Sequence, residues 1–354
     1  MTRPARVIFD PQAVRANLRV VRQQAPGRRI MAIVKADGYG HGVVRMARAL
    51  ADADAFGVAS IEEAVRLREA NITQRIVLLE GPFEAQELAE ITVYRLESVV
   101  HNHEQVRMFA GHGDHTPLWV KIDTGMHRLG FAPCDVPAVL AALAHPAREL
   151  RLMTHFACAH LRGDPSVVQQ LQAFELTAAG STHERCSANS SAILAWPASH
   201  GDWVRPGLML YGVSPFAQVT AAELGLRPAM TVASALIAVK RVPAGGSVGY
   251  GKGFVCPESM DVGVVAFGYA DGYPRHAATG TPLLVNGIRT QVIGEASMDM
   301  MAVDLRPLRD PRVGDPVVLW GDGLPVEEVA QAASTIPYEL LCRMRMRAHF
   351  VERQ

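Results

Sequence analysis

Eight candidate strands, most of them short apolar runs, alternate with residues at helical spacing along the first two thirds of the chain, and no other feature narrows the fold as much. They begin near Arg29 (RIMAIVKA), Ala55 (AFGVAS), Arg75 (RIVLLEG), Tyr94 (YRLESVV), Leu118 (LWVKIDTG), Arg151 (RLMTHFA), Glu184 (ERCSANS) and Trp203 (WVRPGLMLYG). Between them the apolar positions step as in a helix, for example Val43, Met46, Ala47 and Leu50. The stretch from Ser166 to Ala179 carries an N-cap and first-turn proline in Asp164-Pro165 and a stop at Gly180. Strand–helix alternation imposes parallel strands, and eight such units in roughly two hundred residues match the size of a TIM-type (β/α)8 barrel. The rival, a doubly wound open sheet, is disfavoured because no GxGxxG follows the first run.

From about Met230 the texture becomes extended, β-branched and glycine-punctuated (MTVASALIAVKRV, DVGVVAFGY, TPLLVNGIRTQVIG, MMAVDL, PVVLW). This predicts a mainly-β C-terminal domain over residues 229–354, with one helix near Glu327 to Ala333 and a closing strand near Cys342 to Val351. The N-terminal strand within residues 1–10, Ala5 to Phe9, is expected to join it, leaving the barrel to residues 11–228. Lys plus Arg number 35 and Asp plus Glu 35, so the formal charge is zero and neither a nucleic-acid nor a membrane-surface role driven by bulk charge is expected. With 49% apolar and 20% charged residues the chain is too hydrophobic for disorder, and no apolar run approaches the roughly 18 residues of a membrane span. Met1 to Arg6 leads into polar sequence, so export is not expected and the protein is read as cytoplasmic. The five cysteines are odd in number, scattered and without a CxxC pair, which argues against a disulfide framework and a zinc site.

In a barrel the chemistry sits where strands end. Run one leads into Lys35 and then Ala36-Asp37-Gly38-Tyr39-Gly40-His41-Gly42; run five ends in Lys121 and continues to Arg128; run six reaches His155, run seven Asn189-Ser190, and run eight Arg205-Pro206-Gly207. Lys35 follows four apolar residues, a setting suited to a Schiff-base amine, although a snorkelling or ion-paired lysine fits the same place. The glycines after it let a backbone approach a ligand, or simply make a turn. Ser190 and Gly207 fall where barrels bind phosphate. Arg205 could serve that anion, face a ring nitrogen, or pair with a carboxylate, and His155 alone reads equally as a satisfied core histidine. His101-Asn102-His103 and His112-Gly113-Asp114-His115 read as a solvated connection rather than a metal site, so no metal is expected. A Schiff-base lysine, a phosphate pocket and a ring-facing cation together point to pyridoxal 5'-phosphate (PLP).

The segment Val34 to Gly42 resembles the PLP-attachment signature of bacterial alanine racemases, and further blocks follow in the family's order. These are Lys121 to Gly130, Thr154 to Ala157, Arg205 to Gly207, Val248 to Gly251, Gly268 to Tyr273 and Ser297 to Asp299, so the resemblance covers almost the whole chain. It implies that Lys35 holds PLP covalently and acts as base on one face of the substrate Cα, with Tyr250 of the partner subunit on the other. Racemisation needs two faces because returning the proton to the side it left regenerates the starting enantiomer. The resemblance also implies that Arg205 faces the pyridine nitrogen and that His155 packs against the ring. Tyr39, Ser190, the backbone of Gly207 and Leu208, and Tyr338 would hold the phosphate. Arg128 and the backbone of Met298 of the partner subunit would bind the substrate carboxylate. Lys121 matches a position carbamylated in several relatives, the alternative being a plain lysine paired with Asp123.

The expected activity is interconversion of L- and D-alanine by a head-to-tail homodimer with shared active sites, supplying D-alanine for peptidoglycan or serving alanine breakdown. A broader amino-acid racemase, a decarboxylase of the same fold and a non-catalytic PLP-binding protein are the rivals. One departure stands out: His160-Leu161-Arg162 follows the sixth strand end where many relatives carry an acidic residue.

Overall fold

The computed structural model describes residues 3–112, 115–344 and 347–353. Two compact units emerge: one formed by Arg15–Leu210 with Gln218–Thr220, the other by the described residues up to Val14, Tyr211–Ala217 and the described residues from Ala221 onward. After a first strand β1 (Arg6–Phe9) and helix α1 (Pro11–Gln24), eight parallel strands close a barrel in chain order. They are β2 (Arg29–Ile33), β3 (Ala55–Val58), β4 (Arg75–Leu78), β5 (Glu97–Val100), β6 (Leu118–Lys121), β7 (Leu150–Met153), β8 (Glu184–Asn189) and β9 (Trp203–Arg205). The helices between them are α2 (Lys35–Tyr39), α3 (Val43–Ala49), α4 (Ile61–Glu69), α5 (Glu87–Val93), α6 (His103–Gly111), α7 (Val136–Leu143), α8 (Pro165–Thr177) and α9 (Ser190–Ala195). The barrel is the architecture that the eight-fold alternation predicts. Strand β3 is buried at every position, which is why it reads as a continuous apolar run rather than an alternating one. The fourth run differs in one respect: Tyr94 caps α5 and Arg95 takes a left-handed φ of 51°, so the strand starts only at Glu97.

The floor of the barrel, where strands begin, is a matched ion network. Arg151 is 4% exposed and donates to Glu97 (3.3 Å), Glu184 (2.8 Å) and Glu149. Arg75 reaches Glu97 (2.9 Å) and Glu149 (3.3 Å), and Arg29 pairs with Glu184. Two indole N–H groups complete the set, Trp119 to Glu97 at 2.8 Å and Trp203 to Glu184 at 2.9 Å, with the rings edge to face at 5.4 Å. Hydrogen bonds from three cationic or indole donors hold the Glu184 carboxyl down to about 2 against the cost of its burial.

The second unit is built on β10 (Met230–Val242), a thirteen-residue strand long enough to serve two neighbourhoods. Its first half pairs with β17 (Pro316–Trp320) and its second with β13 (Met260–Val265). Through β14 (Pro282–Val285), β15 (Ile288–Ile293) and β16 (Met301–Asp304) these pairings close a ring of six strands. A two-residue hairpin pair, β11 (Ser247–Val248) and β12 (Phe254–Val255), brackets Tyr250. β1 lies antiparallel to β10 and parallel to β18 (His349–Glu352). The helix expected near Glu327 forms as α10 (Val326–Ala332). The closing strand is shorter than predicted, because Pro337 starts a helix, α11 (Pro337–Cys342), and pairing begins only at His349. No helix among the described residues is long and apolar enough to cross a membrane.

Candidate active site

Every strand-end residue singled out from the sequence of the barrel unit sits at the mouth, the C-terminal end of the parallel strands. Lys121 is the last residue of β6 and Arg205 the last of β9; Lys35 and His155 follow β2 and β7 by two residues, and Ser190 follows β8 directly. The mouth is cationic. Desolvation and the charges of Arg205, Arg128 and Lys35 push the Lys121 amine down to about 8, against the opposing charge of Glu80. None of these four cations has an ion-pair partner among the described residues.

Arg205 is 5% exposed and is held entirely by neutral acceptors. Its Nη1 donates to the Cys186 carbonyl (2.9 Å) and Sγ (3.2 Å), and its Nη2 to the Thr154 carbonyl (2.7 Å) and His155 Nδ1 (3.1 Å). A guanidinium can only donate, so His155 Nδ1 accepts and the ring proton is on Nε2. Burial and the neighbouring cations, Arg205 foremost, push the imidazole well below its ordinary range, so His155 is neutral. Gln170 of α8 fixes the loop behind it, donating to the His155 carbonyl (3.1 Å) and accepting from Ala157 N–H (3.0 Å).

The Ser190 hydroxyl accepts from the N–H of Gly207 (2.9 Å) and of Met209 (3.4 Å), which brings the starts of α9 and of the turn at Leu208 together. A Cβ at Gly207 would lie 2.9 Å from the Tyr39 hydroxyl, so only glycine leaves this cradle open. Tyr39 arrives there through an unusual local structure. Ala36, Asp37, Gly38 and Tyr39 have φ of 54°, 52°, 62° and 45°, making α2 a left-handed turn immediately after Lys35. Left-handed backbone costs a non-glycine residue roughly 1–2 kcal/mol, and three of these four are not glycine. Side chains hold the turn: Glu63 accepts from Asp37 N–H (3.0 Å), Asp37 accepts from Val43 N–H (3.0 Å), and Arg66 pairs with Asp37 at 2.9 Å. Buried His41, pushed down to about 4 by desolvation and therefore neutral, faces the carbonyls of Gly38 and Tyr39 with Nδ1 at 3.1 and 2.9 Å.

Two sequence expectations fail here. Asp123 does not pair with Lys121: its Oδ1 accepts the N–H groups of Gly125, Met126 and His127 at 3.0–3.1 Å, capping the loop that carries Arg128. His101 is not part of a distant polar connection; it directly follows β5, donates to or accepts from no acid, sits 3.0 Å from the Glu80 carbonyl, and feels the charge of Lys121. Of the second histidine cluster, Gly113 and Asp114 lie outside the described residues. Cys186, Thr154, Gln170 and Glu63 were missed, because each acts through a contact with another strand end that no local pattern encodes. In the second unit Tyr250 is 70% exposed, Met298 53% and Tyr338 39%, large apolar surfaces for a folded chain.

The cradle and the uncompensated cations suit an anionic, phosphate-bearing ligand with a ring acceptor. The family model for the alanine racemase N-terminal domain matches residues 9–215 and that for the alanine racemase C-terminal domain residues 229–352. The chain is 52% identical to an alanine racemase of Nitrosospira multiformis over 98% of its own length and 99% of the relative's. The crystal structure of a biosynthetic alanine racemase from Pseudomonas aeruginosa superposes with a TM-score of 0.97 at 46% identity, covering 100% of both chains. An alanine racemase from Bartonella henselae with covalently bound pyridoxal phosphate gives 0.88 at 28% identity over 99% of each chain.

Proposed function

The chain belongs to the alanine racemase family, and from that premise we propose that it interconverts L- and D-alanine with Lys35 and Tyr250 as the two proton-transfer groups. It is an isomerase and uses pyridoxal 5'-phosphate. The observation that carries the site assignment is the set of four cations, Lys35, Lys121, Arg128 and Arg205, gathered at the barrel mouth with no ion pair among the described residues.

Bound PLP supplies an electron sink for the charge left on Cα when its proton is removed. Lys35 holds the cofactor and moves the proton on one face; Tyr250 of the partner subunit serves the other. The exposure of Tyr250 and Met298 supports a second copy covering them, and hence a homodimer whose active sites need both chains. Ser190, Tyr39, Gly207, Leu208 and Tyr338 hold the phosphate. Within that set the Gly207 N–H already serves the Ser190 hydroxyl, which leaves Gly207 to contribute the open space its missing side chain provides. Arg205, with Nε–H as its remaining donor, faces the ring nitrogen, and His155 packs against the ring and steadies Arg205. Arg128 binds the substrate carboxylate together with the backbone of Met298 of the partner subunit.

Lys121 is carbamylated: an amine pushed down to about 8 is partly unprotonated near neutrality, and adding carbon dioxide to it turns one of four clustered cations into an anion beside Arg128. Residues 11–228 form the cofactor domain, and 229–354 with the first ten residues form the β domain. The enzyme is cytoplasmic and makes D-alanine, a role supported by the biosynthetic relative. The test is loss of optical activity from L-alanine, L-serine and L-lysine by the PLP-loaded protein, with the cofactor spectrum recorded on the same sample. Rapid racemisation of alanine alone is expected. Equal rates on all three would indicate a broad-specificity racemase, and bound PLP without racemisation would overturn the assignment.

A further inference from the structure

Cys186 is fully buried on β8, the strand beside β9 that ends in Arg205. The ladder between the two strands slips: Cys186 is opposite Trp203 and Asn189 opposite Arg205, so β8 carries one more residue than β9 across this step. Arg205 reaches back across the slip to the cysteine. A guanidinium has five N–H donors. Four of them are engaged by the Cys186 carbonyl and sulfur, the Thr154 carbonyl and His155 Nδ1, all neutral groups. The Cys186 carbonyl is also the acceptor for Thr154 N–H at 3.1 Å, so it is shared, and the sulfur takes the Nη1–H that would otherwise crowd onto the same oxygen or stay unpaired.

We propose that Cys186 is a positioning residue for Arg205: its thiol fixes the guanidinium plane through an uncharged acceptor, so that the single remaining donor, Nε–H, and the undiminished positive charge are both presented to the cofactor ring. A carboxylate in the same place would hold the arginine as firmly but would neutralise it. Burial raises the Cys186 thiol despite the nearby Arg205, which keeps the sulfur protonated and uncharged under working conditions. A weak sulfur acceptor therefore serves where a stronger, charged one would defeat the purpose of a cation at the ring nitrogen. This inference rests on the reading of Arg205 given above.

The test compares three holoenzyme variants: Cys186→Ala, which removes acceptor and volume; Cys186→Val, which restores apolar volume without an acceptor; and Cys186→Ser, which keeps an acceptor. The readouts are PLP affinity, the pH dependence of the bound-cofactor absorbance, and kcat and KM for alanine. Cys186→Ala and Cys186→Val are expected to lower kcat about tenfold, the order of one lost hydrogen bond to a charged group, with little change in KM and a shifted pH midpoint of the absorbance. Cys186→Ser is expected to recover most of both. If Cys186→Ala does not fold, the Val and Ser pair decides alone. A Cys186→Val enzyme with the wild-type spectrum and kcat would show that the sulfur only fills space, and a Ser variant as impaired as Val would overturn the acceptor role. Wild-type protein that binds no PLP would instead sink the parent assignment, and the spectrum separates the two failures.

Discussion

The two ends of the barrel carry similar numbers of cations and treat them in opposite ways. At the floor, Arg29, Arg75 and Arg151 meet Glu97, Glu149 and Glu184, and even the indole N–H groups of Trp119 and Trp203 are spent on those carboxylates. At the mouth, Lys35, Lys121, Arg128 and Arg205 form no ion pair among the described residues, and the most buried of the four is held by two carbonyls, a thiol and an imidazole. A completed network is a structural element, because nothing remains for a ligand to satisfy. An incomplete one is a binding site, because a buried charge without a partner is costly until an anion arrives.

Breaking the two ends should therefore produce different symptoms. The largest effect is expected at the mouth: Lys35→Ala should abolish the covalent PLP absorbance, and Tyr250→Phe should keep the cofactor yet lose racemisation by about 10²–10⁴-fold, the usual weight of a general acid or base. Circular dichroism on L-alanine checks the second, and full retained activity would remove Tyr250 from its role. At the floor, Arg151→Met should leave kcat within a factor of about two while destabilising the barrel by about 1–3 kcal/mol, since Glu97 and Glu184 lose a buried charged donor but keep Arg75, Arg29 and the two indoles. Denaturant titration measures this, and an unchanged midpoint would mean the network contributes nothing.

The pH responses sharpen the same contrast. Glu184 is held at about 2 against an ordinary 4.5, so the folded state favours its charged form; that stabilisation is present above pH 4.5 and is lost as pH falls towards 2. Glu184→Gln should flatten the acid limb of the stability profile. Lys121 runs the other way. As the free amine, with the carbamate removed by excluding carbon dioxide, its folded value of about 8 lies below the ordinary 10.5, the unfolded chain binds the extra proton between those values, and stability of the PLP-free protein should rise with pH across that window. Lys121→Met should erase this smaller slope; a slope that survives would place its origin elsewhere.

Much of this was legible beforehand, for physical reasons that also mark the limits. Strands such as Arg75–Leu78 and Leu118–Lys121 announce themselves because their buried positions, three in a row in each, are all apolar, and their ends locate the mouth. Asp164 caps α8 by accepting from Ser166 N–H at 2.9 Å, as its position before Pro165 predicts. The left-handed turn after Lys35 was only hinted at by Gly38 and Asp37, since Ala36 and Tyr39 have no preference for that region and the turn is held by Glu63 and Arg66, residues from a different helix. The supposed Lys121–Asp123 pair failed because three backbone N–H groups within the next four residues compete for that carboxylate and win. Cys186 was unreadable: in a short strand a cysteine looks like any small core residue, and its partner is nineteen positions away.

The side-by-side placement of β1 and β18 has a consequence for biosynthesis. The barrel strands lie between Arg29 and Arg205 and can close as soon as that span has left the ribosome, whereas Val7 and Phe9, both buried at the end, must wait for Met230–Val242 and then for His349–Glu352. At about 5–20 residues per second the first wait alone is on the order of tens of seconds. During that interval Arg6–Phe9 is an unpaired strand, the kind of edge that chaperones shield. The second unit is thus sealed only once His349–Glu352 has been synthesised, and a chain truncated before His349 would leave β1 without its parallel neighbour.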